Sequence, residues 1–257
     1  MEQKGRAVLF ALGAFFLMAF VQSLCSSLIA DFSGVQAAGQ QRALTLGVAA
    51  LILIAAILAG EKALPLFPRQ WIGGRLGVPL TVCCFVFGAA ANLTLASILS
   101  LMPFSQEFLT EYMQAVPLGK GGAAWVELTA LCLLAPIMEE LLFRGVILHS
   151  LAQAFPLQAA VLMECLLFAW GHGQILWFLY ALAMGLTLTL IAWKTRSLRA
   201  SIAFHIAFNA ANYLQPLLTA GVGDGPAALL GIAAAGLVLC AAAVYMLCRV
   251  PSLSAGK

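Results

Sequence analysis

The stretch that decides the fold lies at residues 135–145 and reads APIMEELLFRG. It places two adjacent carboxylates, Glu139 and Glu140, and the guanidinium of Arg144 inside an otherwise apolar segment. At the centre of a bilayer each ionised side chain costs at least about 2.5–3.5 kcal/mol, so such residues are usually functional. The simpler interpretation is a buried Glu–Arg pair that only locks two helices together.

Helical spacing gives these three side chains different positions. Glu140 and Arg144 are four residues apart, so they lie on one face and can form an ion pair. Glu139 lies about 100° around the helix axis from Glu140 and is the carboxylate left free. Pro136, one turn earlier, removes a backbone donor and predicts a bend in the helix. We therefore expect Glu139 to act in a site that Glu140 and Arg144 support.

The composition places the whole chain in a membrane. Of the 257 residues, 63% are hydrophobic and 9% charged, and the mean hydropathy is +1.01. No stretch of soluble-domain composition is left over, so we predict a single integral membrane domain over residues 1–257 with the lipid bilayer as its partner. The net charge of +3 comes from basic residues in short loops, which favours a topology signal over a nucleic-acid partner.

Apolar stretches of about 20 residues predict an all-α bundle of about eight transmembrane helices. Their approximate bounds are 7–30, 43–60, 78–101, 125–149, 157–173, 175–193, 200–219 and 227–248. Because the number of spans is even, both termini lie on one side. Ten Lys and Arg residues fall on that side and two, Arg42 and Lys120, on the other, so the positive-inside rule predicts cytoplasmic termini.

A second polar cluster precedes the end of the fifth predicted helix, where residues 163–172 read MECLLFAWGH. In an antiparallel hairpin that turns near residues 155–156, residues whose numbers sum to about 311 lie at one depth, and Glu139 and His172 satisfy this sum. A carboxylate and an imidazole are then placed as a general base and its partner require. Arg144 falls near the level of Leu167, so Glu164 is a second candidate partner for it, with a structural role.

The third polar cluster lies early in the seventh predicted helix. His205 and Asn209 are four residues apart and share a face. Alone, such a pair often holds two helices together, but beside the other two clusters it is interpreted as a third wall of one site. Depth counted from the cytoplasmic turns separates His205 from His172 by roughly 12 Å. Either the fourth and fifth helices project into the cytoplasm or the turns lie elsewhere.

Taken together, the three clusters resemble the motifs of a protease family. The motifs are Glu139-Glu140-x-x-x-Arg144, Phe168-x-x-x-His172 and His205-x-x-x-Asn209. In this order, each within a hydrophobic helix, they are similar to those of the CAAX protease and bacteriocin-processing (CPBP, or Abi) family of intramembrane proteases, which includes type II CAAX prenyl endopeptidases. The motif-bearing part, the predicted catalytic core, spans about residues 125–219.

The resemblance implies an intramembrane endopeptidase acting on a peptide or membrane-protein substrate. In that mechanism Glu139 activates a water molecule and His172 orients it. His205 and Asn209 stabilise the oxyanion, and Glu140 and Arg144 are supporting residues. The short loops are similar to those of bacterial members, which implies a bacterial plasma membrane.

Two alternatives stay open at this point. Family members are commonly called metalloproteases, and Glu139, His172 and His205 have the composition of a three-ligand zinc site with an open water position. No His-x-x-x-His pair exists, and we favour the glutamate mechanism without a metal or other cofactor. The rival to an enzyme is a transporter, or a bacteriocin-immunity or scaffold protein, that uses the polar cluster as an ion path or structural lock. The polar residues lack a matching set in the first half, as an inverted repeat would require, which favours the enzyme.

Overall fold

In the computed structural model of the chain, residues 2–32, 34, 38–63, 76–105 and 124–250 are described. These residues form eight helices and no β-strand. Seven of them are α1 Glu2–Phe32, α2 Ala38–Ala63, α3 Val78–Leu101, α5 Leu157–Trp170, α6 Ile175–Thr195, α7 Leu198–Val222 and α8 Pro226–Arg249. The remaining helix, α4, runs through residues 124–152. The predicted all-helical bundle is therefore confirmed.

The outer surface of the bundle is apolar. Leu9, Leu217 and Val238 are 72%, 71% and 68% exposed, on three different helices. Within the described residues, five helices are long and apolar enough to cross a membrane, by length and composition: α1, α2, α3, α6 and α8. At 14 residues, α5 is about 21 Å long and thus shorter than a hydrocarbon core of about 30 Å. The chain is an integral membrane protein.

Along α4 the backbone hydrogen-bond pattern changes four times. The α-helical segments are Ala124–Glu127, Ala135–Glu140 and Leu148–Ala152, and the π-helical segments are Leu128–Leu134 and Leu141–Ile147. Single π-helical turns inside an α-helix are frequent at functional sites. Pro136 lies at the start of the short central α-helical segment, and Glu139 and Glu140 lie at its end. A wider helical turn therefore lies directly ahead of the proline.

The end of α5 differs from the prediction. The helix ends at Trp170, whereas the predicted helix continued to residue 173, so the expectation that His172 lies inside a helix is wrong. His172 lies in the turn between α5 and α6, flanked by Gly171 and Gly173. Gly173 has a φ of +75°, a left-handed conformation that glycine adopts without steric cost and that commonly ends a helix.

Two glycines bring α3 close to its neighbours. A Cβ on Gly88 of α3 would lie 2.0 Å from the backbone oxygen of Phe204 on α7, and a Cβ on Gly236 of α8 would lie 2.1 Å from Thr94 Oγ1 on α3. Small residues at helix interfaces allow this close approach in membranes. The contact with Phe204 fixes the segment of α7 that carries His205.

Candidate active site

The centre of the site is a fully buried ion-pair cluster around Arg144. Its Nη1 lies 3.0 Å from Glu140 Oε1, so the predicted pair is present, and neither side chain is exposed. Arg144 Nε lies 3.4 Å from Glu164 Oε1, as expected for a second partner. Its Nη2 donates to the backbone oxygen of Gly185, and its guanidinium carbon lies 4.4 Å from the ring centroid of Phe168. Burial without such partners would be very costly for a charged side chain.

Glu139, by contrast, faces a cavity. Its side chain is 22% exposed, whereas that of its neighbour Glu140 is fully buried. The cavity has a volume of about 110 Å³, and its walls include Glu139, His172, His205 and Asn209. This volume has room for several water molecules. The structure therefore brings these four residues, which come from two helices and one turn, to a common space.

His205 lies between the two adjacent carboxylates of α4. Its Nδ1 is 3.0 Å from Glu140 Oε1, and its Nε2 is 3.6 Å from Glu139 Oε2. A carboxylate that is paired with Arg144 can only accept, so the hydrogen of this bond is on Nδ1. Nε2 is then directed towards Glu139 and the cavity. It can donate a hydrogen bond there only when the ring carries a hydrogen on both nitrogens.

His172 is oriented by a backbone carbonyl. Its Nδ1 lies 2.9 Å from the oxygen of Phe168, which can only accept, so Nδ1 carries the hydrogen and Nε2 of the neutral ring is an acceptor. The rings of His172 and His205 both contact that of Phe168, with centroid distances of 4.9 and 6.1 Å. Both rings therefore lie against one phenylalanine and line one cavity, although depth counting from the turns had separated the two histidines by roughly 12 Å.

Asn209 is tied to the widened turn of α4. Its Nδ2 donates to the backbone oxygen of Leu131 at 2.9 Å. This oxygen has no donor within its own helix, because the N–H of Ala135 donates to Ala130 and Pro136 has no N–H. A carboxamide nitrogen carries two hydrogens, so one remains for a group in the cavity.

Three polar residues of the cavity wall were not identified from the sequence. They are Asn92 on α3, Tyr180 on α6 and Asn212 on α7. Asn92 Nδ2 donates to Asn212 Oδ1 at 3.2 Å, and Asn212 Nδ2 donates to the backbone oxygen of Asn209 at 3.1 Å. The available signal for Asn92 was its position in the middle of an apolar span, where an amide is unusual. The same face of α3 adds an apolar wall formed by Leu95, Ala96 and Leu99.

The residues of the suggested zinc site do not fit a metal ion. Both histidines direct Nε2 into the cavity while Nδ1 is hydrogen bonded, as zinc ligands often do. However, in the described part of the chain no group of three or more His, Cys, Asp or Glu side chains is arranged to hold an ion. We therefore derive no catalytic step through a metal.

Comparison with known proteins supports the resemblance based on the three motifs. Residues 121–211 match the family model described as Type II CAAX prenyl endopeptidase Rce1-like. The matched region contains all three motifs and covers a little over a third of the 257 residues. The resemblance is thus confirmed over this region, and the family suggests intramembrane endopeptidase activity. No curated protein and no solved structure matches the chain.

Proposed function

We propose that this protein is an intramembrane endopeptidase that uses Glu139 as general base to hydrolyse a peptide bond of a peptide or membrane-protein substrate. One observation carries the proposal. Of the two adjacent carboxylates, Glu139 faces a cavity that two histidines share, while Glu140 is buried against Arg144. A general base needs access to water, and a supporting carboxylate needs a partner that compensates its charge.

In the proposed mechanism, Glu139 and His172 hold the attacking water. Nε2 of His172 accepts one hydrogen of the water, because Nδ1 is already committed to the Phe168 carbonyl. Glu139 takes the other proton as the water oxygen attacks the carbonyl carbon of the substrate, and then transfers it to the leaving amine. Proton transfer by a positioned side chain contributes about 10²–10⁴-fold to the rate.

The negative charge that develops on the substrate oxygen is stabilised by His205 and Asn209. Asn209 offers its second N–H, and His205 offers Nε2–H when its ring is doubly protonated. The carboxylate of Glu140, 3.0 Å from Nδ1, compensates the charge of that imidazolium. Removal of one such donor from an oxyanion site typically costs about 2.7–4 kcal/mol of transition-state stabilisation.

The apolar wall of the cavity supports a hydrophobic segment as substrate. Leu95, Ala96 and Leu99 lie on the face of α3 that lines the cavity, and they can accommodate an apolar side chain next to the cleaved bond. No metal or other cofactor takes part in the proposed reaction, and no nucleic acid is involved. The short loops support a bacterial member of the family, located in the plasma membrane.

The decisive experiment combines a glutamate substitution with removal of metals. The full-length protein, purified in detergent, is incubated with a pool of fluorescence-quenched peptides whose central residues are apolar. We expect cleavage by the wild type, also after exhaustive chelation, and a loss of at least about 100-fold in Glu139→Gln with normal folding. Glu2→Gln removes an exposed carboxylate that does not line the cavity and should retain full activity.

Two outcomes would contradict parts of the mechanism. Full activity of Glu139→Gln on a cleaved peptide would exclude the general-base role. Loss of activity on chelation, restored only by zinc or cobalt and accompanied by stoichiometric metal in the purified protein, would exclude the metal-free mechanism and leave the endopeptidase assignment intact.

A further inference from the structure

Pro136 lies three residues before Glu139, and the proposed mechanism gives it no role. Its effect is seen five residues earlier, at Leu131. A π-helical turn is closed by bonds from an N–H to the carbonyl five positions before it, and at the end of the turn Leu128–Leu134 the N–H of Ala135 makes this bond to Ala130. The next donor in this register would be residue 136. Because proline has no N–H, the carbonyl of Leu131 is left without a helical partner.

An unpaired backbone oxygen in the interior is costly and is nearly always satisfied by another group. Here the other group is the carboxamide of Asn209 on α7, whose Nδ2 lies 2.9 Å from the Leu131 oxygen. The bond joins the helix that carries Glu139 to the helix that carries His205. It also restricts the rotation of a side chain that lines the cavity.

We propose that Pro136 is a positioning residue: by leaving the Leu131 carbonyl free, it supplies the acceptor that orients the Asn209 amide towards the cavity. Both hydrogens lie on one planar nitrogen, so the direction of the first fixes the direction of the second. A donor that is oriented before reaction loses no free energy to reorganisation when charge develops. The catalytic part of this inference rests on the proposed function, whereas the structural part does not.

The chain offers a matched control for Asn209. Asn212 lies three residues further on the same helix and lines the same cavity. Its amide bonds are to Asn92 and to the backbone of Asn209, and none of them involves the Leu131 carbonyl. The effect of Asn212→Ala on stability should therefore not depend on which residue occupies position 136.

The first test is a double-mutant cycle on thermal unfolding of the full-length protein in detergent, which needs no substrate. Asn209→Ala should lower the melting temperature by several degrees when Pro136 is present and by less than half as much in Pro136→Ala, where residue 136 can donate to Leu131. Asn212→Ala should cause the same shift in both backgrounds. An equal shift for Asn209→Ala in both backgrounds would overturn the proposal. Pro136→Ser supplies the same N–H if Pro136→Ala is not obtained folded.

The second test is kinetic and uses the quenched peptide pool described above. Pro136→Ala should lower kcat roughly tenfold with little change in KM. The reason is that the Asn209 amide, which loses its orientation, donates to the substrate oxygen mainly in the transition state. The kcat of the double variant Pro136→Ala/Asn209→Ala should be no lower than that of Asn209→Ala alone. An unchanged kcat in Pro136→Ala, or the same fold-loss from Asn209→Ala in both backgrounds, would overturn the proposal. If not even the wild type cleaves a peptide, the proposed function fails while the melting cycle still decides the role of Pro136.

Discussion

At the scale of single residues, the decisive contrast is between two neighbouring glutamates. Glu140 lies on the face of α4 that holds Arg144, and there it accepts from both Arg144 and His205. Glu139 lies one residue earlier and faces open space. A rotation of about 100° around a helix axis is enough to separate a charge-compensating role from a chemical one.

Removal of Arg144 should affect folding before it affects chemistry. In Arg144→Ala, Glu140 and Glu164 would remain buried and lose the guanidinium that both of them contact, at a cost of about 3–5 kcal/mol. Since total stabilities are about 5–15 kcal/mol, we expect much lower membrane levels and a lower melting temperature. Arg6→Ala breaks an exposed pair with Glu2 and should change neither quantity measurably. Wild-type levels and melting of Arg144→Ala would contradict the compensating role.

Part of this site could be predicted because it depends on a single helix. The spacing of Glu140 and Arg144 fixes their pairing, whatever surrounds them. The position of His205 between Glu139 and Glu140 depends on how α4 and α7 pack against each other. This packing cannot be inferred from the spacing of residues on one helix. The bond from Asn209 to Leu131 depends in addition on a π-helical turn. Such a turn adds one residue to the winding without changing the apolar composition.

At the scale of helices, the existence of all eight elements could be predicted, and the end of α5 could not. Runs of apolar residues identify each helix, and the run Gly171-His172-Gly173-Gln174 separates α5 from α6, but composition does not show at which of these residues α5 ends. The early end of α5 changes how His172 is held in the site. His172 is held in a turn by its bond to the Phe168 carbonyl and not by a helix backbone.

The contact between α3 and α7 leads to a prediction about Gly88. A Cβ at this position would lie 2.0 Å from the backbone oxygen of Phe204, and a backbone atom cannot move aside as a flexible side chain can. Gly88→Ala should therefore push α7 away, destabilise the protein by about 1–3 kcal/mol and displace the adjacent His205. We expect a lower melting temperature in detergent together with a reduced kcat for peptide cleavage.

The matched control for this substitution is Gly231→Ala on α8, where a Cβ would meet nothing within 4 Å. There, alanine should be neutral or slightly stabilising, because it is the better helix former. A Gly88→Ala variant that melts and cleaves like Gly231→Ala would show that the spacing of α3 and α7 does not position the site.

At the scale of the whole molecule, the cavity lies nearer one end of the bundle. The start of α1 meets the turn between α4 and α5: Lys4 Nζ lies 5.6 Å from the ring centroid of Phe155, and Gln3 Nε2 donates to the oxygen of Gln153. The cavity is displaced towards the other end. Its wall includes Leu99, two residues before α3 ends, and His172, two residues after α5 ends.

The distribution of basic residues then predicts from which side substrate enters. In the topology predicted from the sequence, ten Lys and Arg residues fall on the side of both termini, and the positive-inside rule assigns that side to the cytoplasm. We therefore expect the cavity to open towards the outer half of the membrane, so substrate should reach Glu139 from outside. In a variant without native cysteines, Leu99→Cys should react with a membrane-impermeant thiol reagent in right-side-out vesicles. Arg196→Cys, in the turn between α6 and α7, should react only in inverted vesicles.

The labelling result is informative because Leu99 and Arg196 lie near opposite ends of the bundle. If both substituted cysteines reacted from the side opposite to that expected, the orientation would be inverted and substrate would enter from the cytoplasm, with the chemistry at Glu139 unchanged. If Leu99→Cys reacted from neither side while Arg196→Cys reacted as expected, the cavity would be closed to water-soluble molecules. Substrate would then have to enter laterally from the lipid, between helices whose outward faces are apolar.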